Sequence, residues 1–249
     1  MSKRRTPAPR PAPARGVRRG RALETAEAAV LFGVLVFLLG GYWDVAWHIT
    51  AGRETFWSPP HLLLYSGIVL ILATCAYAFV RAWRLGRKVP APGPFIAAMG
   101  AALALASAPI DDLWHRLYGL DVTILSPPHV MLVAGMAVAA FGALAGFALR
   151  ANRRDPTRLD ALWRSTGGRW AAAGNETGVL LAGGVLAAVV LAAAGEYDFD
   201  VSRYPVTWHP VLLGTLTAFS LALAARVAGR VGAATLAAAA YTALRLLAS

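Results

Sequence analysis

Cysteine is nearly absent. Cys75 is the only one in 249 residues, which excludes an intrachain disulfide framework and any multi-thiolate centre, whether zinc finger, iron–sulfur cluster or redox dithiol. Charge is scarce as well. Charged residues make up 15% of the chain against 57% apolar, where soluble globular proteins carry roughly 25% charged residues. A chain so poor in charge needs lipid-facing surface, so composition points to an integral membrane protein. Acids are scarcer than bases, 13 against 24, leaving a formal net charge of +11. The bases fall in clumps between apolar runs, which is a membrane-topology pattern and not a nucleic-acid footprint. The sequence also lacks a glycine-rich phosphate loop, a nucleophile elbow and a dinucleotide fingerprint.

The apolar residues that are present form seven stretches, near 24–47, 60–83, 94–115, 127–149, 176–196, 208–226 and 231–248. Most approach the ~20 residues that cross ~30 Å of hydrocarbon at ~1.5 Å per residue. The expected fold is all-α: a polytopic helical bundle of about seven transmembrane helices, spanning 23–249. Residues 1–22 hold eight Lys/Arg, four Pro and no acid, and read as a disordered basic tail. Twenty bases lie in the tail and on one set of loops, while the opposite loops hold only Arg53, Arg116 and Arg203. That asymmetry implies a cell-membrane protein with a cytoplasmic N-terminus. Eight of the 13 carboxylates gather on the outer side: Asp44, Glu54, Asp111, Asp112, Asp121, Glu196, Asp198 and Asp200.

The most informative feature is repetition. Residues 44–67 read DVAWHITAGRETFWSPPHLLLYSG and residues 111–135 read DDLWHRLYGLDVTILSPPHVMLVAG. Both contain Asp-x-x-Trp-His, a short loop, and Ser-Pro-Pro-His opening an apolar run. A degenerate third copy, EYDFDVSRYPVTWHPVLLG, covers 196–214, with Glu196, Asp200 and His209 at the corresponding places. The bundle is thus expected to be built from repeated helical hairpins. All five histidines, His48, His61, His115, His129 and His209, belong to these units.

Asp44 and His48 are four residues apart, as are Asp111 and His115, so each pair shares a helix face. Ser58 or Ser126 can cap the following helix, with Pro59 or Pro127 in its first turn. His61 and His129 then project from that turn toward the Asp/His pair. Each complete hairpin offers two imidazoles and one carboxylate, enough for a metal ion with open positions. The expected sites are Asp44/His48/His61 and Asp111/His115/His129, separate or shared as a dinuclear centre. Asp112 is a substitute for Asp111 or a supporting group, Asp121 a weaker candidate, and Glu196, Asp200 and His209 a supporting set or third site. A lone Asp/His pair at a span end is more often a hydrated interface pair, but repetition favours metal. Trp43, Trp47, Trp57, Trp114 and Trp208 read mainly as an interfacial aromatic belt. Two histidines and a carboxylate suit copper, zinc or non-haem iron alike, so the residues leave open an oxygenase, a membrane hydrolase or a non-catalytic metal-handling protein.

The spacing Asp44-x3-His48-x12-His61 resembles the metal motif of the C-type subunit in the copper membrane monooxygenases, the particulate methane and ammonia monooxygenases. Asp111-x3-His115-x13-His129 resembles that family's second motif, with Asp where the family commonly has Asn. The resemblance covers about 40–135. It implies copper at both sites and dioxygen-dependent hydroxylation of a small apolar substrate, within an assembly of monooxygenase-like subunits or a homo-oligomer. No nucleic-acid partner is implied.

Overall fold

The computed structural model describes residues 15–51, 55–87, 91–119, 126–154, 173–192, 208–228 and 232–248. Among them the chain is all-helical, with seven helices and no strand. They are α1 (Arg15–Ala51), α2 (Pro59–Arg84), α3 (Pro92–Tyr118), α4 (Pro127–Arg154), α5 (Ala173–Ala192), α6 (Trp208–Ala228) and α7 (Ala233–Ala248). Four contain stretches long and apolar enough to cross a membrane: Thr25–Ala51, Pro59–Arg84, Pro92–Tyr118 and Pro127–Arg150. The other three expected spans are apolar but shorter as described, at Gly178–Ala192, Gly214–Leu223 and Ala233–Ala243.

One boundary differs from the sequence reading. Helix α1 begins at Arg15, so the backbone of 15–22 is helical and runs into the apolar stretch that starts at Thr25. The four prolines of the tail, Pro7, Pro9, Pro11 and Pro13, all precede it. None of them therefore falls in the interior of α1, where a missing N–H would cost a backbone bond.

The helix starts that shape the site follow from proline. In α2, Ser58 occupies the N-cap position and Pro59 and Pro60 the first two helical positions. The expected hydroxyl cap is not formed. An N-cap side chain serves the second and third N–H groups of a helix, and Pro60 has none. The Ser58 and Ser126 carbonyls instead take the first regular helical bonds, from Leu62 (3.0 Å) and Val130 (2.9 Å).

Helices α1 and α2 form one hairpin and α3 and α4 a second, each pair in extensive contact, with α5 packed on α4. Within each hairpin the helices meet backbone to backbone at glycine. A Cβ on Gly67 would lie 2.7 Å from the Phe37 nitrogen, and one on Gly135 would lie 2.6 Å from the Ala104 nitrogen. A Cβ on Gly33 would lie 2.9 Å from the Gly67 carbonyl oxygen, and one on Gly135 would lie 2.7 Å from that of Gly100. These are equivalent positions. Gly33 and Gly100 are offset by 67 residues, like Asp44 and Asp111, and Gly67 and Gly135 by 68, like His61 and His129. The repeat therefore runs from the loop motif down through the helix crossing. Small residues at such a crossing let helices approach closely where lipid supplies no hydrophobic drive between them.

At the Arg-rich end, Glu27 of α1 is 2% exposed and pairs with Arg150 of α4, whose guanidinium also lies 5.0 Å from the Phe147 ring centre. Gly146 makes room for the Glu27 side chain, since a Cβ there would collide with it, and a Cβ on Gly93 would lie 2.8 Å from the Gly146 Cα. This buried pair ties the first hairpin to the second.

Two outcomes follow for thermal unfolding in detergent. Gly135→Ala should destabilise by about 1–3 kcal/mol through overpacking, whereas Gly41→Ala, with nothing within 4 Å of the added carbon, should not. Glu27→Ala strands Arg150 and should cost about 3–5 kcal/mol, while a paired Glu27→Leu/Arg150→Met exchange should recover most of it.

Candidate metal centres

Asp44 sits two turns before the end of α1 and His48 one turn later on the same face, while His61 is the third residue of α2. The hairpin brings them together as expected. The Asp44 carboxylate bridges the two imidazoles: His48 Nε2 lies 3.3 Å from Oδ2 and His61 Nε2 lies 3.2 Å from Oδ1. The second hairpin repeats the arrangement atom for atom. His115 Nε2 is 3.4 Å from Asp111 Oδ2, and His129 Nε2 is 3.3 Å from Asp111 Oδ1. In each triad one ligand atom per residue lies within 4.8 Å of the other two. Ring centres are 6.4 Å apart for His48/His61 and 6.1 Å for His115/His129. Each triad draws on one hairpin alone.

Hydrogen bonding fixes a tautomer in each site. His61 Nδ1 lies 3.1 Å from the Thr55 carbonyl, and His115 Nδ1 lies 3.3 Å from the Gly119 carbonyl. A carbonyl only accepts, so Nδ1–H donates in both. In the neutral ring Nε2 then carries a lone pair, aimed at a carboxylate oxygen that also has only lone pairs to offer. A cation, proton or metal, must lie between them. The Oδ1 atoms of Asp44 and Asp111 are buried, and no hydrogen bond of good geometry reaches either. Nδ1–H bound to a carbonyl with Nε2 presented is also how metal-ligating histidines are usually held. The donor set and its orientation therefore fit a metal ion.

Sequence reasoning missed the groups that orient these rings. Gly119 follows the last residue of α3 with φ 85° and ψ −178°, backbone essentially restricted to glycine. Its N–H closes on the His115 carbonyl while its own carbonyl takes the His115 ring, and a Gly just past the last helical residue was the available signal. Thr55 lies in the turn before Ser58 and has no such signal. Tyr65, one turn beyond His61, packs 5.8 Å from its ring and 5.4 Å from Phe56, which in turn meets Trp57. The equivalent of Tyr65 in the second hairpin is Val133.

The remaining candidates part company with the triads. The Asp112 carboxylate pairs with Arg116 at 2.7 Å on the exposed side of α3, so it meets a surface cation. Trp43 and Trp47 stack edge-on at 6.3 Å, and Trp43 and Trp57 are exposed, as an interfacial belt requires. His209 falls in the first turn of α6, its side chain outside the described residues, as are Glu54, Asp121, Glu196, Asp198, Asp200, Arg53 and Arg203. The chain matches no protein-family profile, no curated protein and no solved structure.

Gly119→Ala tests the orienting role. The added methyl meets nothing within 4 Å, so any effect comes through the backbone. Metal affinity at Asp111/His115/His129 should fall by about 10–100-fold, the usual cost of losing an orienting partner. Titration calorimetry should find the Asp44 triad unchanged.

Proposed function

We propose that this is an integral membrane protein that binds copper at Asp44/His48/His61 and Asp111/His115/His129, resembling the C-type subunit of the particulate methane and ammonia monooxygenases. The N-terminus faces the cytoplasm and the two triads lie toward the outer face of the cell membrane, opposite the Arg-rich end. The observation that carries the reading is the duplicate convergence of two Nε2 atoms on one half-buried carboxylate, with a ring in each triad already oriented through Nδ1. Imidazole and carboxylate donors suit copper, zinc and iron. The spacing of the two motifs is what favours copper.

Bound there, copper would supply dioxygen activation for hydroxylation of a small apolar substrate. The chain's own contribution is to hold two imidazoles and one carboxylate at a fixed separation, and to bury one oxygen of that carboxylate. Its helices offer apolar exposed faces through which such a substrate can arrive from lipid, among them Leu113 and Leu117 of α3 and Ile49 of α1. Monooxygenase-like partner subunits or further copies of the chain would complete the assembly.

Elemental analysis of protein purified in mild detergent without chelator tests this. The expected result is copper approaching two ions per chain, lost in the His61→Ala/His129→Ala variant, with oxygen uptake on adding small hydrocarbons. Zinc or iron at the same stoichiometry would keep the sites and replace the chemistry with hydrolysis or iron oxygenation. Copper without oxygen uptake would make the protein a metal-handling one. Absence of metal from the unaltered protein would sink the proposal.

A further inference from the structure

The ring of His61 is packed as well as hydrogen-bonded. Tyr65, one turn further along α2, has its ring centre 5.8 Å from that of His61 and its plane tilted by 37°. Phe56 stands against the Tyr65 ring at 5.4 Å, and Trp57 meets Phe56 edge-on at 4.9 Å. Centre distances of about 4.5–7 Å are those of favourable aromatic pairs. Tyr65 is half-buried and also rests on the hydrophobic core of the bundle. A file of rings thus runs from the exposed Trp57 through Phe56 and Tyr65 to His61. In its letters the file belongs to the first hairpin. Counted from the shared Ser-Pro-Pro-His, the second hairpin has Ile124, Leu125 and Val133 where the first has Phe56, Trp57 and Tyr65. All three aromatic positions are aliphatic there, while the Asp and both His of the triad recur.

We infer that Tyr65 is a positioning residue of the first metal centre, fixing the plane of the His61 ring and so the direction of its Nε2 lone pair. The inference rests on the metal-binding reading above and deepens it. The Nδ1–H bond to the Thr55 carbonyl holds one edge of the ring. An N–H···O bond tolerates tens of degrees of misalignment, roughly from 180° down to 150°, before it weakens. By itself it therefore lets the ring plane rock. A side chain seated on the core and packed against the ring opposes that rocking. The Nε2 lone pair lies in the ring plane, so holding the plane keeps the donor aimed at the point it shares with the Asp44 carboxylate. Valine at the same place in the second hairpin shows that this helix position accepts an aliphatic side chain, which makes Tyr65→Val a suitable probe.

The first site is read alone in the full-length protein, with the second triad removed by Asp111→Ala, copper(II) as the probe and electron paramagnetic resonance as the readout. Tyr65→Val should lower copper(II) affinity by about 10-fold or more, the scale of losing an orienting partner. It should also broaden the copper hyperfine lines, as the His61 donor spreads over a range of directions. Tyr65→Phe keeps the ring and should leave affinity and lines as they are. In an Asp44→Ala background, Tyr65→Val should leave the copper(II) affinity and spectrum of the second triad unchanged. Gel filtration and thermal unfolding of each variant check the fold.

A Tyr65 that only packs the core would give Tyr65→Val a lower unfolding temperature with the affinity and lines of the unaltered site, and that result overturns the inference. A Tyr65→Phe variant that behaves like Tyr65→Val overturns it too, since the hydroxyl and not the ring would then matter. Loss at both triads marks a general disturbance and has the same consequence. Failure of the Asp111→Ala protein to bind copper(II) with Tyr65 intact overturns the metal reading itself, an outcome visible before any Tyr65 variant is made.

Discussion

The arrangement depends first on how closely two helices can approach. At Gly33 against Gly67, and again at Gly100 against Gly135, the backbones touch with no side chain between them. In lipid the tails are as apolar as leucine, so helices gain little from hiding apolar surface and associate through packing and polar contacts. Close approach at the crossing fixes the spacing of the helix ends that leave it. One end of each hairpin then delivers an Asp/His pair and a Pro-Pro-His start to a common point. A larger residue at the crossing would spread the helices and carry the imidazoles away from the carboxylate.

At that point the chemistry is decided by lone pairs. Each carboxylate offers one oxygen to each of two imidazoles, and in each triad one imidazole has committed its proton to a loop carbonyl. What remains is a convergence of acceptors that is favourable only around a positive ion. Burial sharpens the requirement, since water does not reach the Oδ1 atoms of Asp44 and Asp111.

The opposite end is held by a different interaction. Glu27 and Arg150 join α1 to α4 in a buried ion pair, at least ~25 Å along α1 from Asp44 at ~1.5 Å per residue. The two ends divide the work. Charge complementarity joins one hairpin to the other at the Arg-rich end, and the opposite end presents the histidines. The exposed Asp112–Arg116 pair adds little, because solvent screens it.

The helical class, the hairpin pairing and both triads are legible in the sequence. Apolar runs of the right length, four-residue spacing and Pro-Pro starts are local signals with a direct geometric meaning, and repetition shows that they belong together. The helical backbone of 15–22 has no comparable signal, since its apolar positions carry no clear period among the arginines. Other features needed the tertiary structure. The use of the Thr55 and Gly119 carbonyls depends on how each turn closes, and the union of Glu27 with Arg150 on which helices pack together, whereas Tyr65 on His61 and Arg116 on Asp112 are four-residue neighbours within one helix whose pairing the spacing allowed. The equivalence of Gly33 with Gly100 is present in the letters but silent, since glycine is common in apolar helices and only a backbone contact makes one of them matter. The sequence by itself determined which residues can form a metal centre. Only the structure decided that His61 and His115 direct their Nδ1 protons to the Thr55 and Gly119 carbonyls, because that depends on how the chain turns between the motif's residues.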